Sequence, residues 1–373
     1  MRVVIAPDGF TGTLSAPEAA RAMAEGWAAA RPHDEVELLP LSDGGPGFVE
    51  VLHGALGGRL VPVAAHGPLG APLEVPVLLV GTTAYVESAL ACGSALVPLA
   101  ERDPMAASTA GVGELLAAAR AAGATRVVVG LGGSGTTDGG AGLLAALGAG
   151  PAVVLARGGG ALSGVVPGDL AGLAAVRAAW SGVEVVAATD VDVPLHGPLG
   201  AARGFGPQKG AGPEQVQQLE RGLGALARAV AAVLGEDLAA VPGAGAAGGL
   251  GLGLFCLGGA RAAGAGAVAD AVSLAARVGA ADLVLTGEGS LDWQSLRGKV
   301  VAEVARTGAA AGVPVVAVAG QVRLEPGQGE AAGLTRAVAV ARTPAEVPGA
   351  LADPAGTLAA RTRALAEGWG RAA

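Results

Sequence analysis

Only two lysines occur among the 24 basic residues of this 373-residue chain, Lys209 and Lys299. Arginine fills every other cationic position. A lysine ammonium is a compact point charge suited to phosphate. Both lysines lie in glycine-bounded segments, Gly204-Phe205-Gly206-Pro207-Gln208-Lys209-Gly210 and Gly298-Lys299. Seven acidic residues occupy glycine-flanked or loop positions after apolar runs: Asp8, Asp43, Asp138, Asp190, Asp192, Glu288 and Asp292. One Asp-Gly alone is ordinary turn chemistry. Seven at what read as strand carboxyl ends indicate a ligand crevice. Asp190 and Asp192 are two apart, so an extended backbone would send both to one side, toward a single cation or hydroxyl. Magnesium is held by one or two carboxylates together with waters and substrate phosphates.

A third feature is the loop Gly132-Gly133-Ser134-Gly135-Thr136-Thr137-Asp138-Gly139-Gly140. Successive glycines let backbone N–H groups converge on an anion, and a following helix N-terminus adds partial positive charge. Residues 130–135 also match G-x-G-x-x-G. A dinucleotide site would need an acidic residue after the next strand, expected at 152–156, and Arg157 stands there instead. The phosphate loop G-x-x-x-x-G-K-[ST] occurs nowhere in the chain.

These residues need elements to hold them. Arg2–Pro7 and Glu35–Leu41 read as strands, and Ser15-Ala-Pro-Glu18 opens a helix over Ala16–Arg31 with a capping box. Arg59–Ala65, Leu73–Val80 and Ala84–Ser88 form three extended runs with only turns between them, an antiparallel meander. Helices are expected at Val112–Ala122, Gly140–Leu147, Pro213–Val233 and Arg261–Val278, and strands at Arg126–Leu131 and Glu184–Thr189. The opening pattern then returns, with strands at Asp282–Thr286, Pro314–Ala319 and Arg336–Ala341 and helices at Ser295–Ala311 and Thr357–Trp369. The expected fold is therefore α/β: a doubly wound parallel sheet formed by both chain ends, with an inserted second α/β domain of mixed sheet. The expected boundaries are 1–60 plus 280–373 for the first domain and 61–279 for the insert.

Composition narrows the function. A net charge of −8 and 2% aromatic residues argue against nucleic acid as partner. Two cysteines exclude a disulfide framework or a multi-cysteine metal site. Mean hydropathy is high, at +0.54. Yet the longest charge-free stretch, Leu238–Ala260, holds eight glycines and Pro242, which suits glycine-rich packing and ligand loops rather than a membrane span. The first residues lead straight into a strand without the apolar region of a signal peptide, so a cytoplasmic location is expected.

Taken together, these motifs resemble the bacterial glycerate kinases with a flavodoxin-like domain and an inserted second α/β domain. The resemblance runs almost end to end. It rests on Ala6-Pro7-Asp8, Asp43-Gly44-Gly45, Gly132-Gly133-Ser134 with Asp138-Gly139-Gly140, and Asp190-Val191-Asp192. It continues in Phe205-Gly206-Pro207-Gln208-Lys209-Gly210-Ala211, Gly243–Gly249, Thr286-Gly287-Glu288-Gly289, and Asp292, Gln294 and Lys299. It implies transfer of the γ-phosphate of ATP, with Mg2+, to a hydroxyl of D-glycerate, the 2-position being favoured over the 3-position. Lys209 and Lys299 would stabilise charge on the phosphates or the substrate carboxylate. Asp190 or Asp192 would orient the hydroxyl or hold the metal. Asp8, Asp43, Gly44, Gly132, Gly133, Ser134, Thr137, Asp138, Gln208, Glu288, Asp292 and Gln294 would contact substrate or phosphate. Departures from the family pattern are Gly9 and Thr11 in place of a serine and a lysine, Val193 for asparagine and Ser290 for arginine. They leave open a kinase of another small hydroxy acid, or a relative that binds a nucleotide or metabolite without turnover. A homo-oligomer also stays open.

Overall fold

In chain order the strands are β1 (Arg2–Ile5), β2 (Glu35–Leu38), β3 (Arg59–His66), β4 (Pro72–Val80), β5 (Thr83–Glu87), β6 (Arg126–Gly130) and β7 (Glu184–Ala188). They continue as β8 (Ala260–Ala262), β9 (Leu283–Thr286), β10 (Ser290–Leu291), β11 (Val315–Ala319), β12 (Gln321–Val322) and β13 (Arg336–Ala339). The structure is a computed structural model that describes residues 1–10 and 12–370; Thr11 lies outside the described residues. The chain divides into two units, residues 1–43, 50–56 and 265–373, and residues 44–49 and 57–264.

The first unit carries a five-stranded parallel sheet in the order β13–β11–β9–β1–β2, built from both chain ends. Its central strands are continuous apolar runs; β9 and β11 are buried at every residue, as parallel strands covered on both faces must be. The helix Ala16–Ala30 covers this sheet, and its Ala19, Ala20, Ala22, Met23 and Trp27 join the core with Ile5, Leu285 and Val316. It starts where Ser15 N–H donates to Glu18 Oε2 at 2.8 Å and Glu18 N–H returns to Ser15 Oγ at 3.4 Å.

The second unit carries a six-stranded mixed sheet, β3–β4–β5–β6–β7–β8. β3 to β5 form the antiparallel meander, and β5 to β8 run parallel. Its core is separate and draws on Leu115, Leu143, Leu226 and Leu254.

Four local expectations are corrected. Residues 152–156 are not a strand but one helical turn, Ala152–Leu155, with only Leu155 buried; a four-residue apolar run has too little periodicity to decide. Residues 261–278 are not one helix. Ala260–Ala262 adds an edge strand to β7, and two short helices, Gly264–Ala271 and Leu274–Gly279, follow, separated by Ser273 at φ 56°. The glycine-rich stretch contains a buried helix, Ala246–Cys256. Finally, the helix expected from Ser295 begins at Val300, because Asp292 Oδ1 accepts the N–H groups of Gln294 (2.8 Å) and Ser295 (3.2 Å) and holds a turn.

Candidate active site

In the second unit, the chain leaves β6 into the glycine loop. Gly132 N–H donates to Gly44 O at 2.9 Å, Gly135 N–H to Cys92 O at 2.7 Å and Gly139 N–H to Gly248 O at 3.0 Å. The loop can lie this close only without side chains. A Cβ on Gly132 would meet Gly45 Cα at 2.4 Å, and one on Gly248 would meet Thr136 O at 1.9 Å. Gly44 itself has φ +91°, and a Cβ there would lie 2.8 Å from Ala188 O, so its part is to support the loop.

Gly132, Gly133 and Ser134 line a cavity of about 360 Å³ together with Val191, Gln208 and Lys209. Lys209 closes the turn Pro207–Lys209 and is buried, 4% exposed. Its Nζ donates to Ser134 Oγ at 3.0 Å and to Thr136 O at 2.6 Å. Burial pulls its pKa down to about 8, against the opposing pull of the Asp138 carboxylate.

Thr137 and Asp138 do not line this cavity; both are fully buried. The two oxygens of Asp138 accept Thr109 N–H (2.8 Å), Thr109 Oγ1 (2.9 Å), Gly140 N–H (3.0 Å) and Gly142 N–H (3.1 Å). That carboxylate ties the loop to the start of two helices, Ala110–Ala121 and Ala141–Ala146. Asp190 and Asp192 follow β7, and the strand ends at Ala188, so strand alternation does not place them. Asp190 Oδ1 accepts Gly264 N–H at 2.9 Å and Asp192 is exposed. Among the described residues, no three or more His, Cys, Asp or Glu side chains gather as a metal-holding group.

In the first unit, Asp8 follows β1, Asp43 lies beyond β2, Glu288 follows β9, and Lys299 caps the helix Val300–Ala311. Asp8 Oδ1 accepts Gly9 N–H at 2.7 Å. Burial above all, then the Asp43 charge and more weakly Glu288, push Asp8 up to about 8, while the Gly9 N–H and Lys299 oppose them. Burial also raises Glu288, against the Ser295 hydroxyl and Lys299. Asp292 holds its turn, and Gln294 is exposed. Ser290 lies in β10, paired with Gln321 of β12.

Residue types alone did not point to Ser94 or Phe205 as cavity residues, nor to Thr109 as partner of Asp138. Ser94 sits beside the loop because its N–H donates to Gly133 O at 3.0 Å, a contact between segments 39 residues apart that has no local signal.

A family model described as the glycerate kinase family matches residues 3–370. The chain belongs to the glycerate kinase family. Similar proteins include the glycerate kinase of Bacillus subtilis (strain 168), 40% identical over 329 residues that cover 86% of this chain and 85% of that protein. The glycerate 2-kinase of Escherichia coli (strain K12) is 38% identical over 329 residues, 86% of each. A crystal structure of a Salmonella typhimurium LT2 protein, provisionally designated glycerate kinase 2, superposes with a TM-score of 0.80 at 37% identity, covering 98% of this chain and 97% of that one. Membership of this kinase family makes the chain an enzyme, a phosphotransferase with an alcohol group as acceptor. Among the described residues, no helix is long and apolar enough to cross a membrane.

Proposed function

We propose that this enzyme transfers the γ-phosphate of ATP to a hydroxyl of D-glycerate, at the 2-position in preference to the 3-position. The observation that carries the reading is the buried Lys209 ammonium, set on Ser134 Oγ and Thr136 O at the wall of a cavity lined by the glycine loop. Phosphoryl transfer is catalysed mainly by positioning and by neutralising charge on the phosphates. The Ser134 hydroxyl and the Lys209 ammonium supply that for an anion, beside the wall formed by Gly132 and Gly133. Gln208, exposed in the same cavity, adds a neutral amide donor. Thr137 and Asp138 act from beneath by holding the loop.

Asp190 and Asp192 flank the cavity residue Val191 and are the groups that would hold magnesium. A pair of carboxylates fits an ion that keeps most of its waters and binds substrate phosphates. When bound, magnesium neutralises phosphate charge. Asp8, Asp43, Glu288 and Lys299 are assigned to substrate binding.

The test is ADP release from MgATP with D-glycerate, beside L-glycerate and a panel of small hydroxy acids, with the product identified by phosphorus NMR. Efficient turnover on D-glycerate giving 2-phosphoglycerate is expected. Turnover only on another acid would reassign the acceptor and would connect Gly9 and Ser290 with the change. ATP binding without turnover on the whole panel would overturn the catalytic reading.

A further inference from the structure

The order of the first unit's sheet reverses between β1 and β9, and the carboxyl ends of the strands flanking such a reversal form the ligand crevice of an open α/β sheet. Hydrogen bonds carry the β1–β9 pairing past the strand ends: Ala6 N–H to Leu285 O at 2.7 Å, then Asp8 N–H to Gly287 O at 2.9 Å. Thr286 Oγ1 donates to Ala6 O at 2.8 Å and secures the same join. On the other side, Leu41 N–H donates to Pro7 O at 2.9 Å. Asp8 is thus fixed at the crevice floor, with Glu288 following on one side and Asp43 on the other.

Folds of this type often place a glycine-rich anion cradle here. This chain places three carboxylates and one ammonium, Lys299. A carboxylate at that floor can accept the proton of a substrate hydroxyl, and Lys299 offers a counter-charge to an acidic substrate. One oxygen of Asp8 is engaged by Gly9 N–H, and Oδ2 accepts no hydrogen bond among the described residues. We infer that Asp8 accepts the proton of the attacking hydroxyl, from its fixed place at the crevice floor between Asp43 and Glu288. The inference rests on the function proposed above and names the base for that reaction.

The step balances as follows. The substrate O–H bond breaks and its proton passes to Asp8 Oδ2. The oxygen forms a bond to the γ-phosphorus of ATP. The bond from that phosphorus to the β–γ bridging oxygen breaks, and its electron pair leaves with ADP. Asp8 then returns its proton to water. A base works best with a pKa near the working pH, and Asp8, at about 8, meets that condition. Asp43 and Glu288 are positioning residues that keep it basic; Lys299 opposes them.

The test uses the full-length enzyme with saturating MgATP and D-glycerate. Asp8→Asn is expected to lower kcat by about 10²–10⁴-fold and to leave the KM for ATP within about threefold. Saturating ATP places phosphate charge beside Lys209 and keeps its ammonium protonated to higher pH, so in the parent enzyme kcat should rise with pH through an apparent pKa near 8. Asp43→Asn and Glu288→Gln each remove a like charge and should move that rising limb to lower pH, a readout that a purely structural role would not give. An Asp8→Asn enzyme that keeps more than a tenth of the parent kcat overturns the inference while leaving the function standing. So does a limb that stays in place in both charge-removal variants, and this second criterion decides the matter if Asp8→Asn does not fold by circular dichroism. A parent enzyme inactive on every acceptor overturns both.

Discussion

Lys209 shows what one residue does in two capacities. Its ammonium offers charge to the cavity and also satisfies the Thr136 carbonyl and the Ser134 hydroxyl. Lys209→Ala is therefore expected to lower kcat/KM for ATP at least about 100-fold and to destabilise the fold by roughly 1–3 kcal/mol, because a buried carbonyl loses its donor. Steady-state kinetics and urea unfolding check both, and unchanged turnover and Michaelis constants would remove Lys209 from the mechanism. Its pKa of about 8 has a further consequence. As pH rises through 8 the ammonium loses its proton and the cavity loses its positive charge. Affinity for ATP should fall between pH 7 and 9.5, measured by calorimetry, and Lys209→Met should bind weakly at both ends without that slope. The cysteines fit the same environment. Cys92 and Cys256 are free and fully buried, and burial pushes each thiol up to about 12, so neither is a nucleophile.

At the scale of elements, the glycine loop is held by a helix that the apolar pattern does not announce. Just after its first residue, Ala246–Cys256 kinks through three non-helical residues at positive φ, Ala247 (52°), Gly248 (70°) and Gly249 (96°). Gly248 lies against the Thr136 carbonyl that Lys209 bonds. Gly248→Ala should cost several kcal/mol and lower turnover together, since its Cβ would displace that carbonyl. At the neighbouring position the sign reverses. Alanine pays a steric penalty at positive φ, and Ala247→Gly should stabilise by up to about 1 kcal/mol in a thermal melt. Asp138 joins two helix starts to the loop, and Asp138→Ala would strand several buried N–H groups. A loss of about 2–4 kcal/mol is expected, with activity falling only as the loop loosens.

For the whole molecule, the chain order and the division into units do not coincide. Residues 44–49 come early in the chain yet belong with 57–264. Phe48, fully buried, meets the Tyr85 ring edge-on at a centroid distance of 6.1 Å. The buried Glu87 carboxylate accepts the N–H groups of Gly47 and Val49, both at 3.1 Å. A fragment spanning 44–264 should consequently unfold cooperatively and at a distinctly higher temperature than one spanning 57–264, which keeps the Glu87 carboxylate but loses these donors and the Phe48 contact. Equal melting temperatures by circular dichroism would show that residues 44–49 add nothing to that unit.

Much of this was legible in the residues alone. Continuous apolar runs at Arg2–Ile5, Leu283–Thr286 and Val315–Ala319, with a capping box at Ser15, specify buried parallel strands and a covering helix, because periodicity and capping are local properties. The paucity of lysine marked Lys209, and the glycine loop marked the segment that lines a cavity with it, because each depends on residue type and near spacing. Other features depended on the tertiary structure. Burial by distant segments brings Lys209 down to about 8 and Asp8 up to about 8. Thr109, 29 residues from Asp138, becomes its partner only when two helix starts meet. Ala260–Ala262 becomes a strand only because β7 offers an edge to pair with. Local propensity governs elements, whereas protonation, cross-chain hydrogen bonds and edge pairing are set by neighbours that the fold, and not the spacing, brings together.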